Sequence, residues 1–178
     1  KSAEGKLFPW VAQLLDQGKP DSLIALQRHD SFKHDIPRVI RPDILLTEDG
    51  FAITELDSVP GGIGLTAWLN ETYARAAQEF TTESGETSAP ALMGGADGPI
   101  SGFARIFEGA TRARIVISDE SATYRPEMRW IAEQINARKL LENPLEVVDS
   151  EPQDFLPGDR IYRFFELFDL PNVPASDS

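Results

Sequence analysis

The stretch that decides the reading runs Val39-Ile-Arg-Pro-Asp-Ile-Leu-Leu-Thr-Glu-Asp-Gly-Phe-Ala-Ile-Thr-Glu-Leu-Asp-Ser-Val-Pro-Gly-Gly-Ile-Gly64. It predicts two strands around a tight turn. With Glu48-Asp49-Gly50 as a three-residue loop, Gly50 takes the left-handed position that glycine occupies at least cost. That loop sets Thr47 opposite Phe51, Asp43 opposite Glu55 and Arg41 opposite Asp57. Strand side chains alternate between faces, so Arg41, Asp43, Glu55 and Asp57 share one face, with neighbours roughly 5 Å apart. A two-residue loop at Asp49-Gly50 slips the register and scatters the group.

Outward from this hairpin, the 178 residues are 41% hydrophobic and suffice for one or two small domains. The formal charge of −12 argues against a nucleic-acid backbone or an anionic membrane surface as partner. It suits divalent cations or amines, and equally a merely solvated acidic surface. Without cysteine there are no disulfides, thiolate nucleophiles or Cys-based zinc sites. His29 and His34 lie in a polar stretch without ligand spacing and read as loop residues. No apolar run is long enough for a membrane span and no signal-peptide pattern is present, so the expected location is the cytoplasm.

Before the hairpin, Phe8, Val11, Leu14 and Leu15 give a helical stripe that Gly18-Lys19-Pro20 stops. Asp21 or Ser22 then caps a second short helix through Leu26. After the hairpin, Val59-Pro60-Gly61-Gly62-Ile63-Gly64 joins strand to helix. Its glycines either make a tight connection or offer backbone N–H groups, at Gly61 and Gly62, to an anion. A helix follows from about Leu65 to Phe80, with Leu65, Trp68, Leu69, Thr72, Tyr73, Ala76 and Phe80 as its expected core stripe. Residues 81–99 are small, polar and Gly-rich and read as a linker. A short helix spans Ile100 to Glu108.

Arg114-Ile-Val-Ile-Ser-Asp119 predicts a buried strand, Thr123 to Lys139 a helix, Leu145 to Val148 and Arg160 to Phe165 two further strands. Pro126 fits only in the first turn of that helix. The expected fold class is therefore α/β: a helical and hairpin region, 1–80, the linker, and a small Rossmann-like parallel layer, 100–170, with a tail at 171–178. Ligands in such layers sit at the carboxyl ends of strands, here around Asp119 and Glu120.

Like charges opposite one another destabilise a sheet, so the Arg41, Asp43, Glu55 and Asp57 face has two readings. Either Arg41 neutralises one carboxylate while the others reach water, or the face holds Mg²⁺. Magnesium takes one or two carboxylates and fills its octahedron with water and phosphate oxygens. An adjacent arginine neutralises a phosphate or a developing oxyanion.

At these residues the chain resembles the glutathionylspermidine-synthase-like enzymes, ATP-grasp ligases with a circularly permuted chain order. Their pattern is Arg-x-Asp on one strand, a turn, then Glu-x-Asn on the next. Here it stands as Arg41-Pro42-Asp43 and Glu55-Leu56-Asp57. The resemblance implies Asp43, Glu55 and Asp57 as magnesium ligands and Arg41 as the catalytic arginine contacting phosphate and the tetrahedral intermediate. Residues Ile115 to Glu120 with Tyr124 and Met128, and Ile161 to Glu166, resemble that family's pre-ATP-grasp domain. The permuted order also matches. Asp57 departs from the family's Asn, Val59 to Gly62 replace its glutathione-holding residues, and Asp119-Glu120 reduce its paired glutamates. The nucleotide-cradling half is expected beyond residue 178.

The resemblance implies part of an ATP-dependent carboxylate–amine ligase, with Mg²⁺ and ATP as cofactors of the intact protein and no turnover by this chain alone. Its partners are ATP and small carboxylate and amine substrates, with self-association left open. The competing expectation is a non-catalytic binding or scaffold module. A metal-dependent phosphatase or nuclease ranks below both, lacking a histidine partner or Asp-x-Asp after a strand.

Overall fold

Ala113–Ile117 is buried at all five positions, the mark of a strand covered on both faces. In the computed structural model, which describes residues 9–32, 34, 37–57, 59–84, 92–151, 154–166, 169 and 172–173, this strand is the centre of a three-stranded parallel sheet. In chain order the elements are α1 (Pro9–Asp16), α2 (Asp21–Gln27), β1 (Arg41–Thr47), β2 (Gly50–Asp57), α3 (Ile63–Ser84), α4 (Gly98–Ala104), β3 (Ala113–Ile117), α5 (Arg125–Ala137), β4 (Leu145–Asp149) and β5 (Arg160–Phe164). The sheet order is β4-β3-β5, and β1 and β2 form a separate antiparallel hairpin. The chain is an α/β protein, as its pattern predicts.

Two compact units divide at 37/38. In residues 1–37, Gly18 (φ 79°) ends α1 in the left-handed region and Arg28 pairs with Asp16. The first residue of α2 is Asp21, which sits inside the helix; Pro20 holds the cap position without a side-chain bond. The described histidines stay in loop structure, and Ser31 N–H donates to His29 Nδ1 at 3.2 Å. The hairpin therefore groups with the sheet, in residues 38–178, and not with the N-terminal helices. Of the linker expected at 81–99, residues 81–84 extend α3 and 92–97 form turns; 85–91 lie outside the described residues, as do Phe8 and most of the tail.

Alternation along β3 builds two cores. Ala113, Ile115 and Ile117 face Ile100, Phe103, Phe107, Met128, Ile131, Ile135 and Tyr162. Full burial of an Ile, Met or Phe side chain is worth about 1.5–3 kcal/mol, so this face carries most of the stability. Val116, on the other face, meets Phe165 and Val173. Arg112 ties the entry of β5 to that of β3, with Nη2 2.6 Å and Nε 3.0 Å from the Asp159 carboxylate. Asn136 stitches the end of α5 to β4, donating to Leu145 O at 3.0 Å and accepting from Leu145 N at 2.8 Å. Arg138 bonds Glu71 of α3 and Asp97 ahead of α4, locking three helices at one corner.

Helix α3 corrects the sequence expectation. Leu65, Trp68, Tyr73 and Phe80 are exposed, and Ala67 is fully buried instead. The cause is close approach: a Cβ on Gly64 would stand 2.5 Å from the Glu127 carbonyl oxygen. The helix packs on α5 through its smallest residues, which turns its bulky face outward.

The hairpin turn also differs. Thr47 pairs with Gly50, so the loop is Glu48-Asp49 and Gly50 (φ 141°) begins β2. The one-residue slip does not reach the charged rungs, because the register shifts again between Asp43 and Ile44. Thr54 is the extra residue of that bulge, its hydroxyl donating to Asp43 O at 3.2 Å. Arg41 still pairs with Asp57, and Asp43 with Glu55.

Candidate functional site

The base of the hairpin meets the carboxyl ends of the parallel strands in a cleft of about 210 Å³. Arg41, Asp57, Val59 and Gly61 form one wall. Ser121 and Tyr124, which follow β3, and Phe164, Phe165 and Glu166 at the end of β5 form the other. Chain connections leave β3 toward β4 on one side, while β5 lies on the other. This is the switch point at which open parallel sheets bind ligands.

Arg41 organises the near wall. Its Nη2 is 3.2 Å from Asp57 Oδ2, and its Nε is 3.5 Å from Asp43 Oδ1. Its Nη1 donates to Gly61 O at 2.8 Å. Asp57 Oδ1 accepts the Val59 N–H at 2.9 Å, so both oxygens of Asp57 are engaged within the protein. Asp43 and Arg41 are each about half exposed and open to solvent. Glu55, opposite Asp43, is exposed as well. The register thus brings all four sequence-predicted residues together at adjoining rungs. Asp43 and Glu55 reach water, while Asp57 is the inward counter-ion of Arg41.

A cation's fit follows from this donor set. Two hard carboxylates across one rung suit Mg²⁺, which needs only one or two from protein. Among the described residues, no three His, Asp or Glu side chains converge in a metal-holding group. The third carboxylate, Asp57, is turned toward Arg41.

The glycine loop serves packing. Glu127, in the first turn of α5, accepts Gly62 N–H at 2.7 Å and Leu65 N–H at 3.3 Å. Its carboxylate caps the N-terminus of α3 from another helix, where the helix dipole favours negative charge. The Gly62 amide is therefore engaged by an internal anion. A Cβ on Gly61 would lie 2.5 Å from the Tyr124 ring, so this glycine lets the loop close over the cleft's aromatic wall. Tyr124 in turn packs on Phe164 at 5.2 Å between centroids.

Asp119 and Glu120 are exposed beyond β3 and do not line the cleft. Asp119 lies 3.9 Å from Arg125, whose closer ion pair, at 3.1 Å, is with Asp149. Beneath the cleft, Tyr162 is 9% exposed, and its hydroxyl has no hydrogen-bond partner among the described residues. Burial pushes this phenol upward from its ordinary 10.0, and the negative charge of Asp57 adds to the rise.

Sequence reasoning missed Glu127 and named Tyr124 within the family resemblance, not as a wall of the cleft. The available signal was Tyr124-Arg125-Pro126-Glu127, a proline in the first helical turn followed by an acid. Nothing local to that motif points at a second helix as its target. Comparisons with protein-family models, with curated proteins and with solved structures gave no match for this chain.

Proposed function

We propose that the chain is the metal- and phosphate-binding part of an ATP-dependent carboxylate–amine ligase. The reading is carried by one observation: Arg41, Asp43, Glu55 and Asp57 share a hairpin face beside a cleft at the switch point of the sheet. In such a reaction ATP phosphorylates a carboxylate, and an amine displaces phosphate from the acyl phosphate to leave an amide. Asp43 and Glu55 hold Mg²⁺, which neutralises phosphate charge when bound. Arg41 presents its guanidinium to a phosphoryl oxygen and then to the oxyanion formed as the amine adds. Asp57 and the Gly61 carbonyl fix the orientation of Arg41 so that little reorganisation remains at the reacting centre. Tyr124, Phe164 and Phe165 supply the apolar wall of the cleft opposite Arg41. In this reading the protein works in the cytoplasm with ATP and small carboxylate and amine substrates, and these residues alone give no turnover.

The test is Mn²⁺ binding, followed by the resonance of the free ion, in wild type, Glu55→Ala and Arg41→Ala, with and without ATP. The reading expects binding that Glu55→Ala abolishes and an ATP-dependent gain in affinity that Arg41→Ala removes. Equal binding by wild type and Glu55→Ala rejects the metal assignment. A second reading, a non-catalytic binding module, is favoured by the engagement of Arg41 with Asp43, Asp57 and Gly61 of its own chain. It expects ligand binding in the cleft without any dependence on divalent cation.

A further inference from the structure

The hairpin has a second face. Pro42, Ile44 and Leu46 of β1 pair with Leu56, Ile53 and Phe51 of β2, so six apolar side chains stand together opposite the charged face. They are open to solvent: Leu46 is 89% exposed, Phe51 66%, Leu56 64% and Ile53 55%. A strand pair that is charged on one face and apolar on the other is patterned to bury the apolar one. Two strands alone are marginally stable, which adds to the need for a cover.

Charge selects the occupant. Of the hairpin's five carboxylates, Asp43, Glu55 and Asp57 stand with Arg41 on the opposite face, and Glu48 and Asp49 are left at the rim of the apolar one, a local charge of −2. Glu48 and Asp49 form the turn at the tip of the apolar face. A second copy brings the same acidic tip and a formal charge of −12, so self-association sets like charges against each other. An anionic membrane is opposed for the same reason. A cationic partner is favoured at this rim. The three apolar rungs extend about 14 Å along the strands, a length matched by an α-helix of about nine residues.

We infer that the Pro42, Ile44, Leu46, Phe51, Ile53 and Leu56 face is a docking surface for a basic amphipathic helix of a partner protein. The helix lays its apolar stripe on the three rungs and directs Lys or Arg toward Glu48 and Asp49. The inference stands independently of any metal on the opposite face.

The experiment uses the full 178-residue chain and a labelled synthetic peptide of Leu and Lys patterned as an amphipathic helix, with binding read by fluorescence anisotropy. Three controls accompany it: the same pattern with Glu for Lys, a scrambled Leu/Lys peptide, and vesicles of zwitterionic or anionic lipid. Expected is saturable binding of the patterned Lys peptide alone, weakened about tenfold or more by Leu46→Ser with Phe51→Ser. Both side chains are exposed, so the variant keeps the fold, checked by circular dichroism. Glu48→Lys with Asp49→Lys weakens binding through charge alone, and Trp68→Ser on α3 leaves it unchanged. Equal affinity for the scrambled peptide, insensitivity to the Leu46 and Phe51 changes, preferential binding to vesicles, or a dimer dissolved by those same changes would each overturn the inference.

Discussion

Replacing Gly64 by Ala pits two effects of one methyl group against each other. In a helix interior the change favours folding by about 0.5–1 kcal/mol, through chain entropy and helix propensity, and Gly64, the second residue of α3, gains at most that amount. At this position the new Cβ would stand 2.5 Å from the Glu127 carbonyl oxygen and 2.9 Å from its Cβ. The obstructing atoms are mostly backbone of α5 and do not swing away. Helix α3 must back off, at an overpacking cost of about 1–3 kcal/mol. The displacement also strains the bonds from Gly62 and Leu65 to the Glu127 carboxylate, each worth about 1.5–3 kcal/mol when fully made. Partial loss of these brings the net to about 1–3 kcal/mol of destabilisation. At roughly 3 °C per kcal/mol for a domain of this size, Tm falls by about 3–9 °C. Gly102→Ala in α4 is the internal control, because nothing lies within 4 Å of its Cβ position. It gains the propensity term alone, up to about 1 kcal/mol. Urea unfolding at constant m-value measures both. Gly64→Ala at or above wild-type stability, or both variants moving the same way, refutes the close-packed α3–α5 contact.

Glu127→Gln keeps the shape of the side chain but removes one acceptor and the charge at the α3 N-terminus. It is expected to cost about 1–2 kcal/mol and to speed amide exchange in the first turn of α3. Tyr162 links stability to alkaline pH. Its folded value is raised above the ordinary 10.0 by burial and then by Asp57, so its contribution is complete below that value and is lost as pH rises. One of the three tyrosines should ionise only together with unfolding, seen as tyrosinate absorbance coincident with loss of ellipticity, and Tyr162→Phe removes that phase. Asp159 works at the acid end. Its hydrogen bonds from Arg112 hold the carboxyl below the ordinary 3.8, so this stabilisation is complete above 3.8 and lost as pH falls through the folded value. The Tm difference between wild type and Asp159→Asn should therefore be largest near neutrality and shrink on acidification below that point.

The parallel layer was legible because its signals are local. Arg114 to Ile117 is a short apolar run, Pro126 marks a helix start, and Leu145 to Val148 and Arg160 to Phe164 follow at βαβ spacing. The charged rungs of the hairpin were legible too, though through a turn of the wrong length. The loop is one residue shorter than expected, and the bulge at Thr54 restores the count before Asp43 and Glu55. A bulge leaves no mark in a β-branched, ordinary strand sequence. Helix α3 was misread because periodicity identifies an apolar stripe and not the stripe that packs. Its small face of Gly64 and Ala67 wins by letting two backbones approach, a preference set by α5 and invisible within α3. The role of Glu127 failed for the same reason, since its targets, Gly62 and Leu65, lie more than sixty residues away.

The central claim is that the Arg41, Asp43, Glu55 and Asp57 face is where a divalent cation and a phosphate group meet. Paramagnetic broadening by substoichiometric Mn²⁺, mapped over the assigned amide spectrum in the presence of ATP, tests it directly. The account predicts loss of signal centred on Asp43 and Glu55, extending to Arg41 and Gly61, and abolished by Glu55→Ala. Broadening spread over the other acidic segments, around Glu146, Asp149 and Asp154, and unchanged by that substitution would contradict it.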